Sequence, residues 1–236
     1  MCGRLDQNHT PVEYVQAMHW PHLPPLFGSV AAPSRNASPG TLRPLLRVVD
    51  DGLRVEDLFW GYRAAWAEGK LPVAINARLE KLAGRYWSAL LARGRAIVPA
   101  DGWYEWTGEK GRRQPWHVHL KSRDPVFLAA LANPAPARGH AAEGGFVLVT
   151  ADAEGGLVDV HDRRPIALSA ADAALWLDPA LPAQQAEQLI RAMALPADQF
   201  DWHPADLSAE RVARAPNQPA APAEPNVAAQ SELPLA

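Results

Sequence analysis

Cysteine is nearly absent from this chain. Cys2 is the single one among 236 residues, so an intrachain disulfide and a multi-cysteine metal site are both excluded, and a lone thiol suits a reducing compartment. Lysine is scarce too, 4 residues against 19 arginines. Arginine is the cation that grips phosphates bidentately and stacks on bases. Excess charge is missing: the net value is −3, so any nucleic-acid surface has to be local. No apolar run approaches the ~18 residues of a membrane span. The start, Met1-Cys2-Gly3-Arg4-Leu5-Asp6, lacks the charged-then-apolar pattern of a secretory signal. A cytoplasmic protein with no membrane partner is expected. A Gly-rich phosphate loop and a Gly-x-Ser-x-Gly elbow are also missing, which removes the sequence signatures of nucleotide hydrolysis and serine-hydrolase chemistry.

What is present is enough for one core, since 48% of the residues are hydrophobic. Thr10-Pro11-Val12-Glu13 is a helix start, with Thr10 as cap, Pro11 in the first turn and Glu13 closing a capping box; the helix is predicted to reach Met18. Residues 19–44 are Pro-rich and predicted to be extended loop. Short strand-like runs follow at Leu45–Val49, Leu53–Trp60, Val73–Asn76, Ala96–Pro99, Trp103–Trp106, Trp116–Leu120, Val126–Leu131 and Phe146–Thr150. Helices are predicted at Arg85–Ala92, at Ala170–Leu177 capped by Ser169, and at Ala183–Met193. Strands without strict βαβ alternation imply an α+β fold, mainly antiparallel. The Ala/Pro-rich end of the chain, residues 218–236, is expected to be a disordered tail.

Four residues carry candidate chemistry. A small residue after Met1 permits removal of the initiator, leaving Cys2 with a free α-amine beside its thiol. The amine titrates near pH ~8 and the thiol near ~8.5, so both nucleophiles are expected to be partly available at neutral pH. The amine condenses with an aldehyde, and the thiol two atoms away closes a five-membered thiazolidine, an intramolecular step. Glu105 lies in Pro99-Ala100-Asp101-Gly102-Trp103-Tyr104-Glu105-Trp106, where Trp103 and Glu105 share a strand face. A carboxylate among indoles is desolvated, its pKa rises, and it becomes a general acid/base near neutrality. Asn76 at a strand end can orient an amine or a hydroxyl. His161, between Val160 and Asp162, is a candidate proton shuttle. Arg4, Arg78, Arg163 and Arg164 each sit beside one of these residues and suit DNA phosphates. Trp60, Trp66, Trp103 and Trp106 are candidates for base stacking, with at least half of them expected in the core. His117 and His119 share a strand face, but no third ligand has convincing spacing, so no metal and no cofactor is expected.

In order and spacing, Met1-Cys2-Gly3-Arg4, Asn36 with Pro39-Gly40, Phe59-Trp60-Gly61-Tyr62, Ile75-Asn76-Ala77-Arg78-x-Glu80, Pro99 through Trp106, Val147–Thr150 and His161-Asp162-Arg163-Arg164-Pro165 resemble the SOS response-associated peptidase (SRAP) family. Phe200-Asp201-Trp202-His203-Pro204 resembles its closing motif. Two stretches depart from the usual pattern: Ser34-Arg35-Asn36 before the Pro-Gly loop, and Arg63-Ala64-Ala65 after Tyr62. The resemblance covers about residues 2–217 and implies a single domain with a barrel-like β core and flanking helices. It implies a monomer that senses abasic sites in single-stranded DNA and caps them with a covalent thiazolidine, with self-processing peptidase and lyase activities. Cys2, Asn76, Glu105 and His161 are the implied catalytic residues, and Arg4, Asn36, Pro39, Trp66, Arg78, Thr150 and Arg163 the implied DNA contacts. An N-terminal-nucleophile hydrolase acting in trans remains an alternative on the same residues.

Overall fold

The computed structural model describes residues 2–21, 24–50, 52–109, 112–134 and 144–208; the expected tail at 218–236 lies outside the described residues. In chain order the elements are β1 (Leu5–Gln7), α1 (Pro11–Met18), β2 (Leu26–Phe27), β3 (Ser34–Ala37), β4 (Leu42–Val49), β5 (Gly52–Phe59), β6 (Asn76–Arg78), α2 (Ser88–Arg93), β7 (Arg95–Ala100), β8 (Gly102–Thr107) and β9 (Gln114–Leu120). They continue with β10 (Val126–Ala132), β11 (Phe146–Asp152), β12 (Arg163–Pro165), β13 (Ala167–Leu168), α3 (Ala170–Leu177), α4 (Ala183–Met193) and β14 (Phe200–Pro204).

The strands form two sheets. The smaller runs β14-β9-β8-β1-β3, and the larger runs β12-β11-β10-β7-β4-β5-β2, with β13 added on β10 and β6 on β11. All pairings are antiparallel except β2 with β5 and β6 with β11. Neither sheet closes on itself among the described residues. The expected barrel-like core is therefore corrected to two open, packed sheets with helices outside; the α+β class and the antiparallel character stand.

Strand alternation explains the layering. In β10 every residue from Val126 to Ala132 is buried. Phe127, Ala129 and Leu131 face the helical side, where they join Val15 and Met18 of α1, Leu90 of α2, Trp176 of α3 and Ile190 of α4. Val126, Leu128 and Ala130 face the smaller sheet, where they meet Leu5, Trp103, Val118 and Phe200. A strand covered on both faces loses the hydrophobic-polar alternation and becomes continuously apolar, as Val126-Phe127-Leu128-Ala129-Ala130-Leu131-Ala132 is. Arg95 locks the helices to this sheet: its guanidinium donates to the carbonyls of Leu91, Trp176, Asp178 and Leu181 at 2.5–3.0 Å, satisfying chain ends of α2 and α3 that would otherwise be buried without donors.

Local signals hold where they are strong. The Thr10–Glu13 capping box forms in both directions, and α3 and α4 have the predicted limits, with Ser169 capping α3. The Pro-rich segment differs from its prediction as pure loop. It contributes β2 and β3, and β4 begins at Leu42, because the neighbouring strands β5 and β1 supply hydrogen-bond edges that no local pattern reveals.

Candidate active site

Backbone register carries Cys2 to Glu105. Leu5 lies opposite Trp103 in the β1–β8 pair, and the Tyr104 amide donates to the Arg4 carbonyl at 3.0 Å. Continuing that antiparallel run places residues 2–4 alongside residues 104–106. Cys2 is fully buried in the inter-sheet core. Asn76, at the start of β6, donates from Nδ2 to the Cys2 carbonyl at 3.0 Å, while its Oδ1 is buried with no hydrogen-bond partner among the described residues. The segment leading to Asn76 is braced by Trp60, whose indole Nε1–H donates to the Ile75 carbonyl at 3.1 Å and whose ring stacks on Phe146. Trp60 is in turn fixed by the Pro39-Gly40 turn: Gly40, at φ +84°, donates its amide to the Trp60 carbonyl at 2.9 Å. Only glycine takes that backbone conformation without cost.

Glu105 is 3% exposed. Burial raises its carboxyl from the ordinary range to about 7, which brings it into the range of a group able to accept or give a proton near neutrality. His161 Nε2 lies 4.0 Å from Glu105 Oε2. The Arg163 amide donates to His161 Nδ1 at 3.0 Å, which leaves Nδ1 as acceptor and puts the proton of the neutral ring on Nε2, facing Glu105. The Asp162 carboxylate, 2.7 Å from the same Nδ1, favours the opposite tautomer, but that side chain is 84% exposed and screened by water. Burial also lowers the pKa of His161, favouring the neutral ring. The structure thus brings Cys2, Asn76, Glu105 and His161 together from four separate stretches of sequence.

One sequence expectation changes. Burial, and after it the charge of Glu105, pushes the Cys2 thiol well above its ordinary value. At neutral pH the thiol is protonated rather than partly ionised. It becomes a nucleophile only when a neighbouring base takes its proton, and the Glu105 carboxylate is close enough for its charge to raise the thiol's pKa.

The expected DNA contacts are spread unevenly. Arg78 and Trp66 are exposed, and Arg78 pairs in register with Thr150. Arg4 holds Nη1 buried without a hydrogen-bond partner among the described residues, a cation able to accept an anion. Pro39 is half-buried, while Asn36 and Thr150 are buried. Arg163 is buried and engaged by Glu80 and Asp152 and by the Thr150 carbonyl, so a phosphate has to compete with two carboxylates there. Arg164 is likewise committed, to Glu154 and the Leu195 carbonyl. These acidic partners lie in other strands or turns, and nothing in the local sequence marked them. Of the tryptophans, Trp60 and Trp103 are core, Trp106 is half-buried, and Trp66 presents a ring to solvent against Tyr86 and Arg85.

Comparison with known proteins gives the family. Residues 1–212 match the family described as SOS response associated peptidase (SRAP). The chain is 38% identical over 211 residues to the abasic site processing protein YedK of Escherichia coli, covering 86% of this chain and 91% of that one. It is 29% identical over 157 residues to the abasic site processing protein YoqW of Bacillus subtilis, covering 62% and 67%. The crystal structure of a phage-related protein from Bordetella bronchiseptica superposes with a TM-score of 0.72 at 39% identity, covering 86% of this chain and 94% of that one. With the family match spanning every described residue, the chain belongs to the SRAP family.

Proposed function

We propose that this protein captures abasic sites in single-stranded DNA as a covalent thiazolidine at Cys2, after loss of Met1. The observation that carries the reading is the position of residue 2: its carbonyl is held by Asn76 and its thiol is enclosed beside Glu105. Asn76 fixes the backbone of the residue whose nitrogen must attack, so the α-amine and the thiol present together. The ring-opened sugar of an abasic site offers an aldehyde. The amine adds to its carbon, Glu105 relays the protons, and water leaves to give an imine. The thiol then adds to the imine carbon, its proton passing through Glu105 to the imine nitrogen. The balance is aldehyde plus aminothiol giving thiazolidine plus water, with no oxidant or cofactor. His161, with Nε2–H turned towards Glu105, delivers a proton to the sugar ring oxygen as it opens. The imine also acidifies the adjacent sugar C–H, so strand cleavage by elimination is a side reaction of the same centre.

DNA is held through its backbone, with Arg4 and Arg78 as the cations open to phosphate and Trp66 as a stacking face. The lesion has no base to read, so little sequence preference is expected. Binding before the covalent step weakens as salt rises. The protein acts as a monomer.

The trans-acting hydrolase is the second reading. It needs an amide donor aimed at a substrate carbonyl, and the Asn76 Nδ2 is instead spent on residue 2 itself. A denaturing gel with an abasic oligonucleotide separates the two. The wild type should give a boiling-stable shifted band and an intact mass lacking Met1. Cys2→Ser keeps the amine, so its adduct should be lost on boiling unless borohydride has first reduced the imine. A boiling-stable band from Cys2→Ser without borohydride, or active protein that retains Met1, refutes the thiazolidine.

A further inference from the structure

On the opposite face of the smaller sheet from Glu105, three imidazoles meet. His117 and His119 alternate on β9, and β14 pairs antiparallel with β9 so that His203 lies directly opposite His117. One ring nitrogen from each lies within 4.8 Å of the others. The three ring centroids form a nearly equilateral triangle, 5.3, 5.3 and 5.5 Å on a side. We propose that His117, His119 and His203 form a binding site for a first-row divalent metal ion of the nitrogen-preferring kind, with Zn2+ as its representative.

The polar environment of the rings has the form of a ligand set. His119 is 2% exposed. Its Nδ1 donates to the Leu120 carbonyl at 2.8 Å, which leaves Nε2 as the lone-pair nitrogen, and that Nε2 is buried with no hydrogen-bond partner among the described residues. Orienting a ligand imidazole through its other nitrogen is the usual supporting arrangement at metal sites. A buried acceptor without a donor costs free energy, and a cation supplies what is missing. His117 lies 3.3 Å from the Asp6 carboxylate through Nε2 and stacks on Tyr104. Its ring position depends on Gly102, where a Cβ would stand 2.6 Å from His117 Nε2. His203 is exposed, and its ring already lies against the other two. Tetrahedral coordination at a Zn–N distance of ~2.1 Å sets the nitrogens about 3.4 Å apart, so the cluster has to contract by little more than an ångström. The site opens into a cavity of about 480 Å3 also lined by Asp6, Asp101, Arg35 and Arg123, leaving room for water as a fourth ligand. A bound ion would pin the edge strand β14 to β9, which distinguishes this site from the chemistry at Cys2.

Untagged, metal-stripped protein should take up one Zn2+ per chain in a calorimetric titration, and Co2+ should give the visible absorption of a four-coordinate nitrogen site. A hundredfold excess of Zn2+ over its dissociation constant should raise Tm by roughly 5–10 °C. His203 is exposed on β14, so His203→Ala should keep the fold by circular dichroism; it should lose at least about tenfold in affinity, and His119→Ala likewise. Cys2→Ser should bind as the wild type does. No stoichiometric uptake by the wild type, uptake unchanged in both histidine variants, or uptake lost in Cys2→Ser would each overturn the assignment.

Discussion

Replacing Glu105 with glutamine keeps the shape of the side chain and removes its titration. In the folded protein burial raises this carboxyl from 4.5 to about 7; in the unfolded chain it titrates at its ordinary value. Between those two values the folded state holds a proton that the unfolded state has released, so stability falls as pH rises. The contribution is fully present below ~4.5 and lost as pH climbs through ~7, a swing of about 3 kcal/mol. Roughly 2–3 kcal/mol of it falls between pH ~5 and ~8. Glutamine brings an amide of its own, so the absolute stabilities of the two proteins are not comparable, but their pH slopes are. Urea unfolding at the two pH values, with m-values checked for equality, gives four free energies. The wild type should lose that 2–3 kcal/mol beyond the loss shown by Glu105→Gln, all other titrating groups cancelling in the difference. Parallel pH profiles would refute the claim that this carboxyl is held by burial near neutrality, and with it the proton relay at Cys2.

Other perturbations follow from particular contacts. Thr10→Ala removes the cap of α1 and one half of its capping box, and should cost about 1 kcal/mol in urea unfolding. Arg95→Met leaves four carbonyls without their donor; a loss of about 3 kcal/mol, or roughly 6–12 °C in Tm, is expected by calorimetry. Gly102→Ala drives a Cβ to within 2.3 Å of the Val118 carbonyl, so the β8–β9 pair must shift, and stability should drop by about 2 kcal/mol or more. His161→Gln acts on a half-exposed ring; it should slow adduct formation in a gel time course while shifting Tm by less than about 2 °C, and an unchanged rate would remove the histidine from the relay.

Legibility in the sequence follows the range of the interaction. The limits of α3 and α4 and the capping box of α1 depend on residues within a turn of one another, and each was readable. The strands β2, β3 and β13 are two to four residues long, too short to show alternation, and each exists because a distant strand presents a paired edge. Residues 24–44 are Pro-rich, and proline is tolerated on edges and at strand starts, so a loop signature and edge strands are the same string of letters. Barrel closure is a property of two sheet edges meeting, which no window of sequence contains.

The site divides along the same line. The candidate residue types and their family spacing are written in the chain; their protonation is not. That Cys2 is fully enclosed follows from the β1–β8 register and from packing of Trp60, Val98 and Leu128 across the sheets, and enclosure reverses the expectation that its thiol is partly ionised. The consequence is an order of events. A buried, protonated thiol cannot lead the attack, while Glu105 can accept only one proton at a time. In the proposed reaction the amine therefore reacts first: imine formation expels water with no net release of a proton, and the Glu105 carboxylate is then free to take the thiol proton and pass it to the imine nitrogen. The same reasoning explains why His203 was not coupled to His117 and His119 in the sequence: 84 residues separate His119 from His203, and only the pairing of β14 with β9 makes them neighbours.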